Sequence, residues 1–219
     1  MDFVDRVFWR GPLITRAAGR HSVHSGMNYL AHAYLSFGDD PVLVGNMISD
    51  FVKGREQYDY PPRVAKGIRL HRHIDTFTDT DPANKEAKKL LDPAAGRYSG
   101  AFLDIVYDHF LALDAGRFPL GVEAFARHTY TTLRRYHTLL PDAFDGMLVY
   151  MEAHDWLSGY RTRHGIRSAL AGLARRARYL PDGAPVFELF EEHYAELEAA
   201  FLAFFPGLES YAREQFDRE

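Results

Sequence analysis

The chain contains no cysteine. That removes disulfide frameworks, thiolate zinc sites and cysteine nucleophiles from consideration, and it suits a cytoplasmic protein. There is no glycine-rich phosphate loop and no Gly-x-Ser-x-Gly elbow. No apolar run approaches the ~20 residues of a membrane span, so no membrane association is expected. Positive charge is short as well. A formal net charge of −4 argues against a general nucleic-acid binder, which needs excess cationic charge for phosphate contacts. What remains is ample apolar material, 47% of 219 residues, enough to bury one sizeable core.

Helical periodicity dominates. Residues 28–37 carry Tyr29, Leu30, Ala33 and Leu35 in a short helical pattern. Asp40-Pro41 reads as an N-cap followed by proline at the first helical position, with Val44, Met47, Ile48 and Phe51 on one face and Gly54 as the stop. Pro61-Pro62 opens a helix on which Val64, Ile68, His71 and Asp75 share a face. Asp81-Pro82 repeats the cap-and-proline signal before a charged helix, residues 83–91. Further helices are expected over 100–113, 119–140, 142–160 and 162–180. After Pro185 comes a stripe of Phe187, Phe190, Tyr194, Leu197, Phe201 and Phe204, with Pro206 as its end. That stripe reads as core or an oligomer seam. No alternating strand run and no internal repeat is present. The expectation is an all-α, compact bundle of about seven to nine helices. Residues 27–219 form its single domain. Residues 1–26, basic and short of acids, are expected to be a poorly ordered extension, or a start placed upstream of a natural one at Met27.

The chemistry gathers in the first half. His71 and Asp75 stand four apart on one helix, so imidazole and carboxylate can converge on one ion; manganese, iron and zinc suit such a pair. A lone His-x-x-x-Asp pair is ordinarily a surface contact. Asp104 and Asp108, one turn apart in a strongly apolar helix, change the balance, because a buried carboxylate needs a cation or hydrogen-bond donors. A metal meets that need; so does an arginine. Asp50, between Ile48 and Phe51, has the same character. His32 in LAHAYL and His109 beside Asp108 are each either core histidines or ligands. A metal held here would lower the pKa of a water and neutralise a phosphoryl oxygen.

A second constellation is electrostatic. From Trp156 to Pro181 there is no acid, but there are Arg161, Arg163, Arg167, Arg175, Arg176 and Arg178. Arg63, Lys66, Arg69 and Arg72 form another basic run. Each is either a solvated helix face or a docking surface for an acidic protein.

Taken together, MNYLAHAYLS, GNMISDFVKG, HRHIDTFTD, YDHFL and DWLSGY resemble the acyl carrier protein phosphodiesterase family, from Met27 to about Phe216. The resemblance implies hydrolysis of the phosphodiester joining 4′-phosphopantetheine to a serine of acyl carrier protein, turning holo protein into apo protein. It implies a divalent cation, typically Mn2+ with Mg2+ or Fe2+ as substitutes, and a fold like a divergent HD-type metal phosphohydrolase. Carried over by motif, Asp50, His71, Asp75 and Asp108 hold the metal. Asp50 is also the leading catalytic carboxylate, with His32 or His109 as a further ligand or proton carrier. Arg72, Arg161, Arg163, Arg167, Arg175 and Arg176 would meet the carrier protein. An HD protein has a contiguous His-Asp pair; here the order is Asp108-His109, which leaves open which of the two faces the metal and whether one ion or two are held. The alternatives are a related phosphohydrolase acting on a small nucleotide or phosphoester, and a non-enzymatic helical module for an acidic partner. The oligomeric state is not legible.

Overall fold

A computed structural model describes residues 28–177, 179–180 and 185–218. The expected N-terminal extension and Arg178 lie outside the described residues. Every regular element among the described residues is helical: α1 (Tyr29–Tyr34), α2 (Asp40–Ile48), α3 (Pro62–Thr80), α4 (Pro82–Ala95), α5 (Ser99–Leu113), α6 (Val122–Arg135), α7 (Asp142–Ala153), α8 (Trp156–Gly159), α9 (Arg163–Arg176), α10 (Val186–Glu192) and α11 (Tyr194–Arg218). The all-α expectation holds, with eleven α-helices among the described residues rather than seven to nine. The extra ones come from breaks inside segments that periodicity joined. Asp155, in the left-handed region at φ 43°, separates α7 from α8. His193 separates α10 from α11, and the tail of the 119–140 segment is a 3-10 turn over His137–Leu139.

The caps follow local chemistry. Asp81 accepts amide hydrogen bonds from Ala83 (2.8 Å) and Asn84 (3.2 Å) at the start of α4. Pro62 occupies the first turn of α3. For α2 the cap is Asp39, one residue earlier than expected; it accepts from the Val42 amide at 3.2 Å, and Asp40 lies inside the first turn. Gly54 does not end α2. The α-helix stops at Ile48, a 3-10 turn carries Ser49–Phe51, and Gly54, at φ 53°, opens a second 3-10 segment. Asp50 therefore sits on a tight turn beyond the helix end.

Two packing features position the site. First, α2 and α3 form the most extensive helix pair among the described residues. Gly45 and Gly67 make this possible: a Cβ on Gly45 would run into the Val64 carbonyl, and one on Gly67 into the Val42 carbonyl. Backbone meets backbone there, as small residues allow. Second, α5 passes through the centre, with twelve of its fifteen residues buried. It packs against α1, α4, α9 and α11.

Pro206 does not stop the last helix, contrary to expectation; α11 runs through it to Arg218. An interior proline costs about 3 kcal/mol. Phe205, Leu208 and Ala212 are buried around and beyond it, and large apolar side chains repay roughly 1.5–3 kcal/mol each. Tyr211 stacks on Phe77 with centroids 4.8 Å apart, and the Arg213 guanidinium lies 3.6 Å from the Phe37 ring centroid. Packing outweighs the broken backbone bond. The aromatic stripe itself is core as expected: Phe190, Leu197, Phe201 and Phe204 are buried.

Candidate metal centre

Three short stretches converge between α1, the end of α2 and α3. His32 lies on α1, and His71 with Asp75 on α3, all on the faces turned inward. Asp50 comes from the turn after α2. The two imidazoles are stacked, centroids 3.8 Å apart and planes 14° from parallel. His32 Nε2 is 3.3 Å from Asp75 Oδ1. His71 Nε2 is 3.2 Å from Asp75 Oδ2 and 3.3 Å from Asp50 Oδ1. One ligand atom from each of His32, His71 and Asp75 lies within 4.8 Å of the others.

The electrostatics are those of a place built for positive charge. Both histidines are buried, while Asp50 and Asp75 keep part of their carboxylates exposed. Burial, and then the neighbouring His71, push the His32 pKa down. Burial also works against a charged His71, but Asp75 and Asp50 outweigh it and raise its pKa well above the ordinary value. Burial alone would raise the Asp75 carboxyl; the neighbouring His71, and then the close approach of His32, hold it far below the usual carboxylate range. Two carboxylates around one nitrogen favour a proton there, and they favour a cation for the same reason.

The donor set fits a divalent cation. The Nε2 atoms of His32 and His71 are both buried and make no well-directed hydrogen bond within the protein. Their spacing from the carboxylate oxygens matches the separation of about 3 Å expected for two donors each ~2.1 Å from a shared ion. The mixture of imidazole and carboxylate suits a first-row divalent metal. The group of His32, His71 and Asp75 can hold such an ion, and Asp50 lies beside it against His71 Nε2.

The structure sends the other candidates elsewhere. Asp108, expected among the ligands, has both oxygens on the first turn of α1: Oδ2 accepts from the Leu30 amide at 3.0 Å and Oδ1 from the Ala31 amide at 2.9 Å. Its buried carboxylate has an amide donor on each oxygen and lies outside the His32, His71 and Asp75 group. Burial pushes its pKa up, opposed by those two amides. His109 turns the other way: Nδ1 is 2.6 Å from the Tyr160 carbonyl and Nε2 3.1 Å from the Tyr194 hydroxyl. Asp104, its neighbour one turn back, is half-buried.

The arginines are a mixed group. Arg72 holds the loop after Asp50, donating to Gln57 Oε1 at 2.9 Å and the Val52 carbonyl at 3.4 Å. Arg161 pairs with Glu123 at 2.9 Å, and Arg163 pairs with Glu191 while lying over the Tyr194 ring. Arg167 covers Phe187 at 3.8 Å. These three and Arg175 remain exposed, whereas Arg176 is half-buried near Tyr29 and Tyr160.

Sequence reasoning passed over Asn46. It is fully buried at the centre of the group, 2.8 Å from the Nδ1 of both histidines through two different oxygens. A signal was present: an amide side chain in apolar α2, one turn before Asp50.

Fold and cluster together define an all-helical protein with a buried two-histidine, carboxylate-lined site that can hold a divalent cation. The family model described as acyl carrier protein phosphodiesterase matches residues 27–208. Curated relatives named acyl carrier protein phosphodiesterase include one from Yersinia enterocolitica, 34% identical over 191 residues, covering 86% of this chain and 99% of the relative. Another is from Photorhabdus laumondii, 34% identical over 82% of this chain and 92% of its own length. A third, from Klebsiella pneumoniae, is 34% identical over 83% of this chain and 95% of its own length. No solved structure matches the chain. The chain belongs to the acyl carrier protein phosphodiesterase family.

Proposed function

We propose that this protein hydrolyses the phosphodiester between 4′-phosphopantetheine and a serine of holo-acyl carrier protein, releasing the apo protein. The observation that carries the reading is the convergence of Asp50 and Asp75 on His71 Nε2, beside the stacked His32, in a chain of this family.

His32, His71 and Asp75 would hold the cation, with Asp50 as fourth donor, and Mn2+ is the ion we assign. Once bound, it supplies a Lewis acid for phosphoryl oxygens and a water of lowered pKa. The chain's own residues do the rest. The carboxylate of Asp50, partly open to solvent, can accept a proton from a water positioned against it, while Asp75, held in its charged form, stays a donor to the cation. The buried imidazoles present fixed nitrogen donors and exclude solvent from the inner side. Arg161, Arg163, Arg167 and Arg175 would receive the acidic carrier protein, with steering set by charge. Asp108 and His109 serve by holding α1 and α5 in place. We place the fold beside the HD-type phosphohydrolases on the strength of a His/Asp cluster between helices, though here it is assembled without a contiguous pair. No helix among the described residues is long and apolar enough to cross a membrane. The cysteine-free composition suits the reducing cytoplasm.

Intact-mass spectrometry of holo-acyl carrier protein incubated with this chain and Mn2+, beside a chelator control, tests the reading. Metal-dependent loss of the phosphopantetheine arm is expected. An unchanged mass, with the chain folded and loaded with Mn2+, would overturn it.

A further inference from the structure

The hydrogen bonds around Asn46 dictate more than its burial. Its side-chain Nδ2 is 2.8 Å from the His32 carbonyl and 3.1 Å from Ser36 Oγ. A backbone carbonyl only accepts, so that end of the amide is the NH2 end. The opposite end, facing His32 Nδ1 at 2.8 Å, is therefore the carbonyl Oδ1. Oδ1 cannot donate, so His32 Nδ1 carries the proton. His71 Nδ1 lies 2.8 Å from the main-chain carbonyl of the same residue. It too must be the donor. One residue thus meets both imidazoles, one with its side chain and the other with its backbone.

We infer that Asn46 is the positioning residue of this site: it fixes the proton of both imidazoles on Nδ1 and so turns both Nε2 atoms toward Asp50 and Asp75. The ring stacking at 3.8 Å follows from the same anchoring, because the two acceptors belong to one residue. The Gly45–Gly67 crossing is what lets the α2 main chain come close enough for Asn46 to reach a side chain on α3. Ser36 closes the arrangement: its hydroxyl donates to the His32 carbonyl at 2.8 Å and accepts from Asn46 Nδ2. In metal sites, the group that binds the far nitrogen of a ligating histidine sets its tautomer and its basicity. Here a single asparagine would serve two histidines. The consequence for metal affinity depends on the cation site proposed above; the proton positions do not.

The split between side chain and backbone makes the test specific. Long-range 15N–1H correlation spectra of the metal-free full chain, with His32 and His71 assigned by H32Q and H71Q, report which ring nitrogen is protonated. In the wild type, His32 should be the Nδ1–H tautomer with a bare Nε2, and His71 should carry a proton on Nδ1. Asn46→Leu is of similar size but offers no acceptor to His32 and leaves the residue-46 carbonyl in place. It should release His32 to a mixed tautomer while His71 keeps its Nδ1 proton. General loosening of the fold would disturb both. Asn46→Asp keeps an acceptor and should keep the Nδ1 proton on His32. Mn2+ affinity by calorimetry should fall about 10–100-fold in Asn46→Leu, the usual cost of losing such a partner. A wild-type His32 protonated on Nε2 overturns the assignment, and that spectrum is decisive even if Asn46→Leu does not fold. So does a folded Asn46→Leu chain with unchanged His32 tautomer. A tautomer that depends on residue 46 in a chain that binds no Mn2+ supports the positioning role and sinks the metal reading instead.

Discussion

Asp108 is where two readings of one carboxylate can be separated by a stability measurement. Its oxygens accept from the amides of Leu30 and Ala31, two of the unsatisfied donors at the start of α1, and all three residues are buried. Asp108→Ala would strand both amides. Each buried donor left without a partner costs ~1–3 kcal/mol, so the loss should be about 4 kcal/mol. For a chain of this length that is a fall in Tm of roughly 8–16 °C. Asp108→Asn keeps one acceptor and turns an NH2 toward the other amide, so about half that loss is expected. Urea and thermal denaturation followed by circular dichroism read both numbers. Calorimetric Mn2+ titration of the folded Asp108→Asn chain gives the second half of the result: unchanged stoichiometry, with weaker affinity because α1 carries His32. If Asp108→Ala unfolds at the wild-type midpoint, the anchoring account fails. Wild-type stability with complete loss of the metal in Asp108→Asn would make Asp108 a ligand after all.

Asp50→Ala should lower turnover of holo-acyl carrier protein by more than ~100-fold, beyond the 10–100-fold typical of a residue behind the ligands, with the helical circular dichroism intact; near-normal activity would remove Asp50 from the mechanism. Gly45→Ala forces a methyl into the Val64 carbonyl, so it should cost about 3 kcal/mol or more in urea denaturation, at or above the upper end for overpacking; an unchanged midpoint would mean the α2–α3 crossing is not as close as described. Reversing the exposed charges with Arg167→Glu and Arg175→Glu should raise KM for the carrier protein several-fold with little change in kcat, and the wild-type KM should climb with salt. A KM insensitive to both would place the docking surface elsewhere.

Much of the site was legible because helical spacing is local. Three and four residues apart means one face, so His71 and Asp75 were placed together from their numbers alone. The proline and aspartate signals at Pro62 and Asp81-Pro82 marked helix starts for the same reason: cap chemistry involves only the next few amides. Asp108 shows where such reasoning stops. An aspartate in an apolar helix must find a partner, but sequence does not say whether the partner is a cation or two amides 77 and 78 residues away. His109, one residue on, went to Tyr160 and Tyr194 because its ring points about 100° around the helix from Asp108.

The sequence by itself determined an all-helical chain, most helix starts, the pairing of His71 with Asp75 and the family. Tertiary structure alone decided that His32 stacks on His71, that Asp50 reaches the group from a tight turn, that Asn46 meets both imidazoles and that α11 runs through Pro206. Periodicity and capping act over one or two turns of backbone. Which helix face meets which depends on packing across the whole core, and here that rests on two glycines on different helices that let α2 and α3 touch.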